Sequence, residues 1–120
     1  MARILVAEDE ESVSAFLQRA LATAGHTVKC VPDGLEAVAM LAAEPFDMLL
    51  SDIVMPGLDG VALALKAGKD HPDMKILLMS GYAHERQRAH NLDALAQRVV
   101  AKPFSLADIV QAVEEVLLED

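Results

Sequence analysis

The chain has 120 residues, 53% of them hydrophobic, which is enough for one buried core and short for two. Its formal net charge of −9 argues against duplex DNA or an anionic membrane as the main partner, since both reward a basic patch; a basic protein surface or a divalent cation fits better. Cys30 is the only cysteine, which excludes a disulfide framework or a thiolate metal cluster and suits a reducing compartment.

The first element is a short apolar run, Ile4 to Ala7. It is too brief for a signal peptide, and no stretch approaches the ~20 apolar residues that span a bilayer, so a cytoplasmic protein is expected. After the acidic Glu8-Asp9-Glu10-Glu11, helical spacing runs through Val13, Phe16, Leu17, Ala20 and Leu21 and ends at Gly25. Thr27 to Val31 alternates polar and apolar, as an edge strand does. Asp33-Gly34 opens a second helix through Leu35, Val38 and Leu41. The run Met48-Leu49-Leu50-Ser51 closes on Asp52 and leads into a Pro/Gly-rich turn from Ile53 to Gly60, in which Asp59-Gly60 reads as a turn or helix cap. Ile76 to Met79 is apolar at every position, the mark of a central strand. Between His84 and Gln97 only Leu92 and Leu95 offer anchors, so that segment is expected to be short, shifted or mobile, or else an ordinary solvated helix. Val99 to Ala101 forms a fifth strand, and Leu106, Ile109, Val110, Val113, Val116 and Leu117 give a last helix. Five strands alternating with helices predict an α/β domain with a mostly parallel sheet covered on both faces.

In a parallel sheet the carboxyl ends of all strands share one edge, where ligands and chemistry collect. Glu8 and Asp9, Asp52, Ser80 and Lys102 stand at those ends. Asp52 is thus a candidate nucleophile or metal ligand, weighed against a bland role as a helix cap. Three converging carboxylates repel unless a cation neutralises them, and an all-oxygen set suits Mg²⁺. Beside such an ion Asp52 could attack a phosphoryl group, with Lys102 offsetting charge and Ser80 donating a hydrogen bond. The four histidines lack metal-ligand spacing, and Gly57 and Gly60 do not make a nucleotide-binding loop.

The residues Ile4-Leu5-Val6-Ala7-Glu8-Asp9-Glu10, Ser51-Asp52-Ile53-Val54-Met55-Pro56-Gly57-Leu58-Asp59-Gly60, Ser80-Gly81 and Lys102-Pro103-Phe104 together resemble the receiver domains (CheY-like) of bacterial response regulators over essentially the whole chain, 1–120. The resemblance implies a flavodoxin-like, doubly wound, five-stranded parallel sheet in the order 2-1-3-4-5. It also implies Asp52 as phosphoacceptor, Asp9 as a direct Mg²⁺ ligand, Glu8 as a looser one and the Val54 backbone carbonyl as a further ligand. Ser80 and Lys102 would contact the phosphoryl group, and the Lys102-Pro103 bond would be cis. The phosphoryl donor would be a histidine kinase or histidine phosphotransfer protein docked mainly on the first helix. The chain departs from the family's usual pattern in two places. Glu8 stands where an aspartate is usual, and Val99 stands where an aromatic switch residue is usual, leaving Tyr82 as a substitute switch. Val54 and Tyr82 should shield the phosphoryl group from water, giving slow self-dephosphorylation.

With no residues left for an effector, a stand-alone regulator that signals by phosphorylation-dependent protein contact is expected, rather than an enzyme. The wording around Met55-Pro56, Ser80-Gly81-Tyr82 and Val99 to Phe104 is similar to regulators of the CpdR type, which implies a protease substrate-delivery machinery as downstream target. A phosphate shuttle within a phosphorelay is equally compatible. The rival class is a Mg²⁺-dependent phosphohydrolase with an aspartyl nucleophile, but Val54 occupies the position where dehalogenase-like phosphatases place their general acid. A flavodoxin-like cofactor binder lacks its phosphate loop and stacking aromatics here.

Overall fold

Apolar residues recur at every second position in the strands, so each strand offers one row of side chains to either side of a sheet. In the computed structural model, which describes residues 2–81 and 98–119, those rows are buried beneath helices on both sides. Tyr82 and the segment from His84 to Gln97 lie outside the described residues. The strands are β1 (Arg3–Ala7), β2 (Thr27–Val31), β3 (Met48–Asp52), β4 (Lys75–Ser80) and β5 (Arg98–Ala101), all parallel, in the order β2-β1-β3-β4-β5. The described helices are α1 (Glu11–Thr23), α2 (Gly34–Ala43), α3 (Gly60–Asp70) and α4 (Leu106–Leu117).

Leu5, Ala7, Leu49, Ile76 and Leu78 face α2 and α3, packing with Ala37, Leu41, Val61, Ala64 and Ala67. Their neighbours Ile4, Val6, Met48, Leu50, Leu77 and Met79 face α1 and α4, against Leu17, Leu21, Ile109, Val113 and Val116. The doubly wound α/β expectation therefore holds in topology and in layering. Thr27–Val31 is an edge strand as its alternation predicted, with Thr27 and Lys29 exposed.

Two local features differ from the sequence reading. Strand β3 runs on through Ser51 and Asp52, because both still pair with β4, Ser51 opposite Leu78 and Asp52 opposite Met79. Helix α3 was implied only by the alternation of strands and helices, with no helical spacing picked out for it. Its buried face is Val61, Leu63, Ala64 and Ala67, with Gly60 at its start. The Asp59-Gly60 pair is the cap that opens it, Asp59 accepting a hydrogen bond from the Ala62 N–H at 2.9 Å.

Caps also fix the other helices that frame the sheet edge. Asp33 accepts from the Glu36 N–H at 2.8 Å to start α2, and Ser105 and Asp108 form a reciprocal capping box at α4. Gly25 ends α1 with φ 102°, a left-handed conformation that glycine adopts without a Cβ penalty.

Candidate functional site

The strand register delivers four polar side chains to one edge. Glu8 follows β1, Asp52 ends β3, Ser80 ends β4 and Lys102 follows β5. Backbone bonds hold these ends together: Glu8 N–H donates to the Val31 carbonyl at 3.1 Å, Ile53 N–H to Met79 at 3.0 Å, and Lys102 N–H to Ser80 at 2.8 Å. Because the apolar strands leave no freedom of register, the site inherits the rigidity of the sheet.

Glu8, Asp9 and Asp52 can each place a carboxylate oxygen within 4.8 Å of the others. At an effective dielectric of about 20, two unit charges so spaced repel by roughly 3 to 4 kcal/mol. Among the described residues one cation meets this cluster: Lys102 Nζ lies 2.8 Å from Glu8 Oε1 and 3.1 Å from Asp52 Oδ2. Three carboxylates against one ammonium leave a double negative excess, the charge of one divalent cation. The donor set is all oxygen, so the residues present fit Mg²⁺.

The second oxygens of Asp52 and Glu8 are also engaged. Asp52 Oδ1 accepts from the Ile53 N–H at 3.0 Å, and Glu8 Oε2 accepts from the Glu10 N–H at 3.1 Å. Burial pushes the Asp52 carboxyl up from its ordinary range, and the Lys102 contact only partly opposes this. The Glu8 carboxyl is raised for the same first reason, with its hydrogen bond from Lys102 again pulling the other way. For Lys102, burial works to lower the pKa, but the contacts with Glu8 and Asp52 outweigh it and the net shift is upward. The ammonium is therefore fully charged near neutral pH.

A cleft of about 460 Å³ opens onto this cluster, lined by Asp9, Glu10, Asp52, Val54, Gly81, Lys102 and Pro103. Asp9 is exposed at its rim, and Val54 is 51% exposed at its mouth. Glu8 and Ser80, each 1% exposed, sit behind the lining rather than in it. The Lys102-Pro103 bond is cis, as expected from the resemblance. Val99 pairs with Leu78 and packs, half buried, on the core face shared with α2 and α3. Glu10, Gly81 and Gly60 were read from the sequence only as parts of the family wording, Gly60 also as a turn or cap, and not as site residues. The clue to Gly60 was its place directly after the Asp59 cap.

Gly60 brings the start of α3 against the carboxyl end of β3. A Cβ there would stand 2.0 Å from the Asp52 carbonyl oxygen and 2.8 Å from Ile53 Cα, both backbone atoms that cannot rotate away. Its N–H also donates to the Ile53 carbonyl at 2.8 Å. Gly60→Ala is therefore expected to destabilise the fold by about 1–3 kcal/mol, the usual cost of overpacking. Urea denaturation of the variant checks this, and an unchanged midpoint would show that the α3 start yields freely.

Comparison with known proteins agrees with this geometry. The family model for the response regulator receiver domain matches residues 4–114. The chain is 43% identical over 121 residues to the response regulator receiver protein CpdR of Brucella abortus, covering 98% of each. It is 40% identical over 119 residues to the sensor kinase CckA of the same organism, covering 97% of this chain and 12% of that one. Against several mycobacterial regulators it spans about half of their length. The crystal structure of response regulator TrrA from Thermotoga maritima in complex with Mg²⁺–BeF superposes with a TM-score of 0.88 at 29% identity, covering 97% of this chain and 99% of that one. Fold, strand-end constellation and family match converge, and the chain belongs to the response-regulator receiver domains of two-component signalling.

Proposed function

We propose that this receiver domain accepts a phosphoryl group on Asp52 and signals through contacts that depend on it. The observation that carries the reading is the placement of Asp52: nearly buried at the end of a central strand, lining the cleft, with one oxygen on a backbone N–H and the other on Lys102. In the transfer an Asp52 oxygen forms a bond to phosphorus. The bond from phosphorus to the donor's nitrogen or oxygen breaks, and its electron pair leaves with the donor. The donor is a histidine kinase or histidine phosphotransfer protein.

Asp9, Asp52 and the Val54 backbone carbonyl would hold Mg²⁺, with Glu8 more remote. When bound, the ion offsets the charge on the phosphoryl oxygens. Lys102 reaches Asp52 already, so its ammonium is placed for the same oxygens; Ser80, at the end of the neighbouring strand, supplies a hydroxyl. A Mg²⁺–BeF complex of the related TrrA supports a divalent ion in such a site.

Val54 carries no carboxylate where a phosphohydrolase would need its general acid, and its apolar side chain at the cleft mouth hinders water. The reading is accordingly a switch that holds its phosphoryl group rather than an enzyme that turns over. Val99, being aliphatic, offers no ring to rotate, so the relay outward uses another element; Tyr82 stays the substitute switch in this reading. The match with CpdR over 98% of each chain supports an output by protein contact, such as protease substrate delivery. Among the described residues no helix is long and apolar enough to cross a membrane, and a cytoplasmic site of action follows the family reading.

Incubation with acetyl phosphate and Mg²⁺ tests the choice between switch and enzyme. The expected result is one phosphoryl group per chain, retained for minutes or longer. Continued phosphate release over many equivalents, or loss of label within seconds, would contradict it.

A further inference from the structure

Glu8 is the more deeply buried of the two acidic residues after β1, and both its oxygens are committed within the chain. Oε1 takes the Lys102 ammonium at 2.8 Å and Oε2 takes the Glu10 N–H at 3.1 Å. Asp9 is exposed and lines the cleft, whereas Glu8 does not. We propose that Glu8 is a positioning residue for Lys102, holding its ammonium beside Asp52 through the phosphoryl transfer, while Asp9 and Asp52 carry the metal. The inference rests on the phosphoacceptor reading above.

The physical reason lies in what happens to Lys102 when Asp52 reacts. Before transfer the ammonium is shared between Glu8 and Asp52, at 2.8 and 3.1 Å. Once an Asp52 oxygen becomes part of an acyl phosphate, its full carboxylate charge is gone and the charge moves outward onto the phosphoryl oxygens. A lysine held by Asp52 alone would then be a flexible four-carbon stem with no anchor. Glu8 has no such change of state. It keeps one hydrogen bond on the ammonium and leaves the other donor positions of that group for the phosphoryl oxygens. A metal placed directly on Oε1 would meet the same ammonium, two cations competing for one oxygen; Asp9, with no cation on it that the structure records, carries no such conflict. The Glu8 side chain, from β1, reaches the lysine that follows β5 across two intervening strands.

The test separates metal binding from lysine placement by using Glu8→Gln, Glu8→Asp and Asp9→Asn. Mg²⁺ binding is read by calorimetry on the unphosphorylated protein. Phosphorylation by acetyl phosphate is read at saturating Mg²⁺, and exchange of the Lys102 ammonium protons by NMR. Glu8→Gln is expected to weaken Mg²⁺ binding less than Asp9→Asn does, because it removes a nearby charge but no direct ligand. Its phosphorylation rate constant should fall about tenfold with the half-saturating Mg²⁺ nearly unchanged, and its Lys102 protons should exchange faster. Glu8→Asp should recover part of the rate and protection, while Asp9→Asn should lose metal affinity by tenfold or more. The proposal is overturned if Glu8→Gln costs as much Mg²⁺ affinity as Asp9→Asn, or if Lys102 exchange is the same in Glu8→Gln and the parent. The exchange and calorimetry need no phosphorylation, so they judge Glu8 even where a parent protein that takes no label on Asp52 refutes the phosphoacceptor reading itself.

Discussion

Asp52→Asn is expected to abolish phosphorylation and, in the absence of metal, to make the protein more stable. Both effects come from one circumstance, a carboxylate held nearly out of water beside two others. Burial raises its pKa, so the folded chain binds a proton at Asp52 more readily than the unfolded chain does. Stability then falls as pH rises from the ordinary carboxylate range through the raised value, because ionisation is penalised only in the fold. Asn imitates the neutral form and is indifferent to that pH change. At pH 7 to 8 the gain should be on the order of 1 kcal/mol, a typical size for removing one unfavourable charge. It should shrink as the pH is lowered through the raised pKa of Asp52. Chemical denaturation of both proteins without divalent ions, across that range, measures the difference directly. A variant less stable than the parent at neutral pH would mean that the Lys102 contact outweighs the burial of Asp52.

Lys102→Met should have the opposite sign and a larger size. Methionine keeps much of the apolar stem while removing the charge that faces Glu8 and Asp52. Glu8 is then a carboxylate in the interior with only the Glu10 N–H to satisfy it. Removing one member of a buried pair typically costs about 3–5 kcal/mol, and the lower part of that range applies here because the Lys102 side chain is 20% exposed. Protonation of Glu8 relieves the strain, so the penalty should diminish as pH falls, and added Mg²⁺ should recover part of it. The same change removes the ammonium from the transfer step, and a loss of about a hundredfold in phosphorylation rate is expected. Thermal melts at two pH values and a phosphorylation time course check the two halves of the prediction. A melt unchanged at neutral pH would show that Glu8 is satisfied by other means.

These effects follow from packing that was partly legible in the chain. Val6, Leu50 and Leu77 lie in apolar runs too short for helices, and that fixed strand identity; the alternation of Thr27 to Val31 placed the sheet edge. Convergence of Glu8, Asp52, Ser80 and Lys102 was equally readable, because parallel strands put all their carboxyl ends on one side. Helix α3 was not delimited because Asp59-Gly60, at its start, serves turns and caps alike. The intimate pairing of Lys102 with Glu8 escaped for a different reason. It joins residues on β1 and β5, which are separated by two intervening strands, and depends on side-chain length and direction that no local pattern encodes. The departure from the usual aspartate at Glu8 was visible, but its consequence needed the coordinates of the lysine.

The close approach of Gly60 to the Asp52 carbonyl belongs to the same category. An Asp-Gly pair announces a change of direction, whereas the 2.0 Å clearance that forbids a side chain is a property of the packed helix start. Together with the register of β3 and β4, it means that Asp52 is positioned by the neighbouring strand and by the start of α3. If Asp52 accepts the phosphoryl group as proposed, the response is carried by the loops around the cleft rather than by the strand that bears it.

The central claim is that Asp52 is the phosphoacceptor, and site mapping tests it most directly. The protein is incubated with acetyl phosphate and Mg²⁺, reduced with borohydride to trap the acyl phosphate, digested and sequenced by mass spectrometry. The account predicts a single modified position, Asp52, and no modification in Asp52→Asn. Label on another residue in the parent protein, or undiminished label in Asp52→Asn, would contradict it.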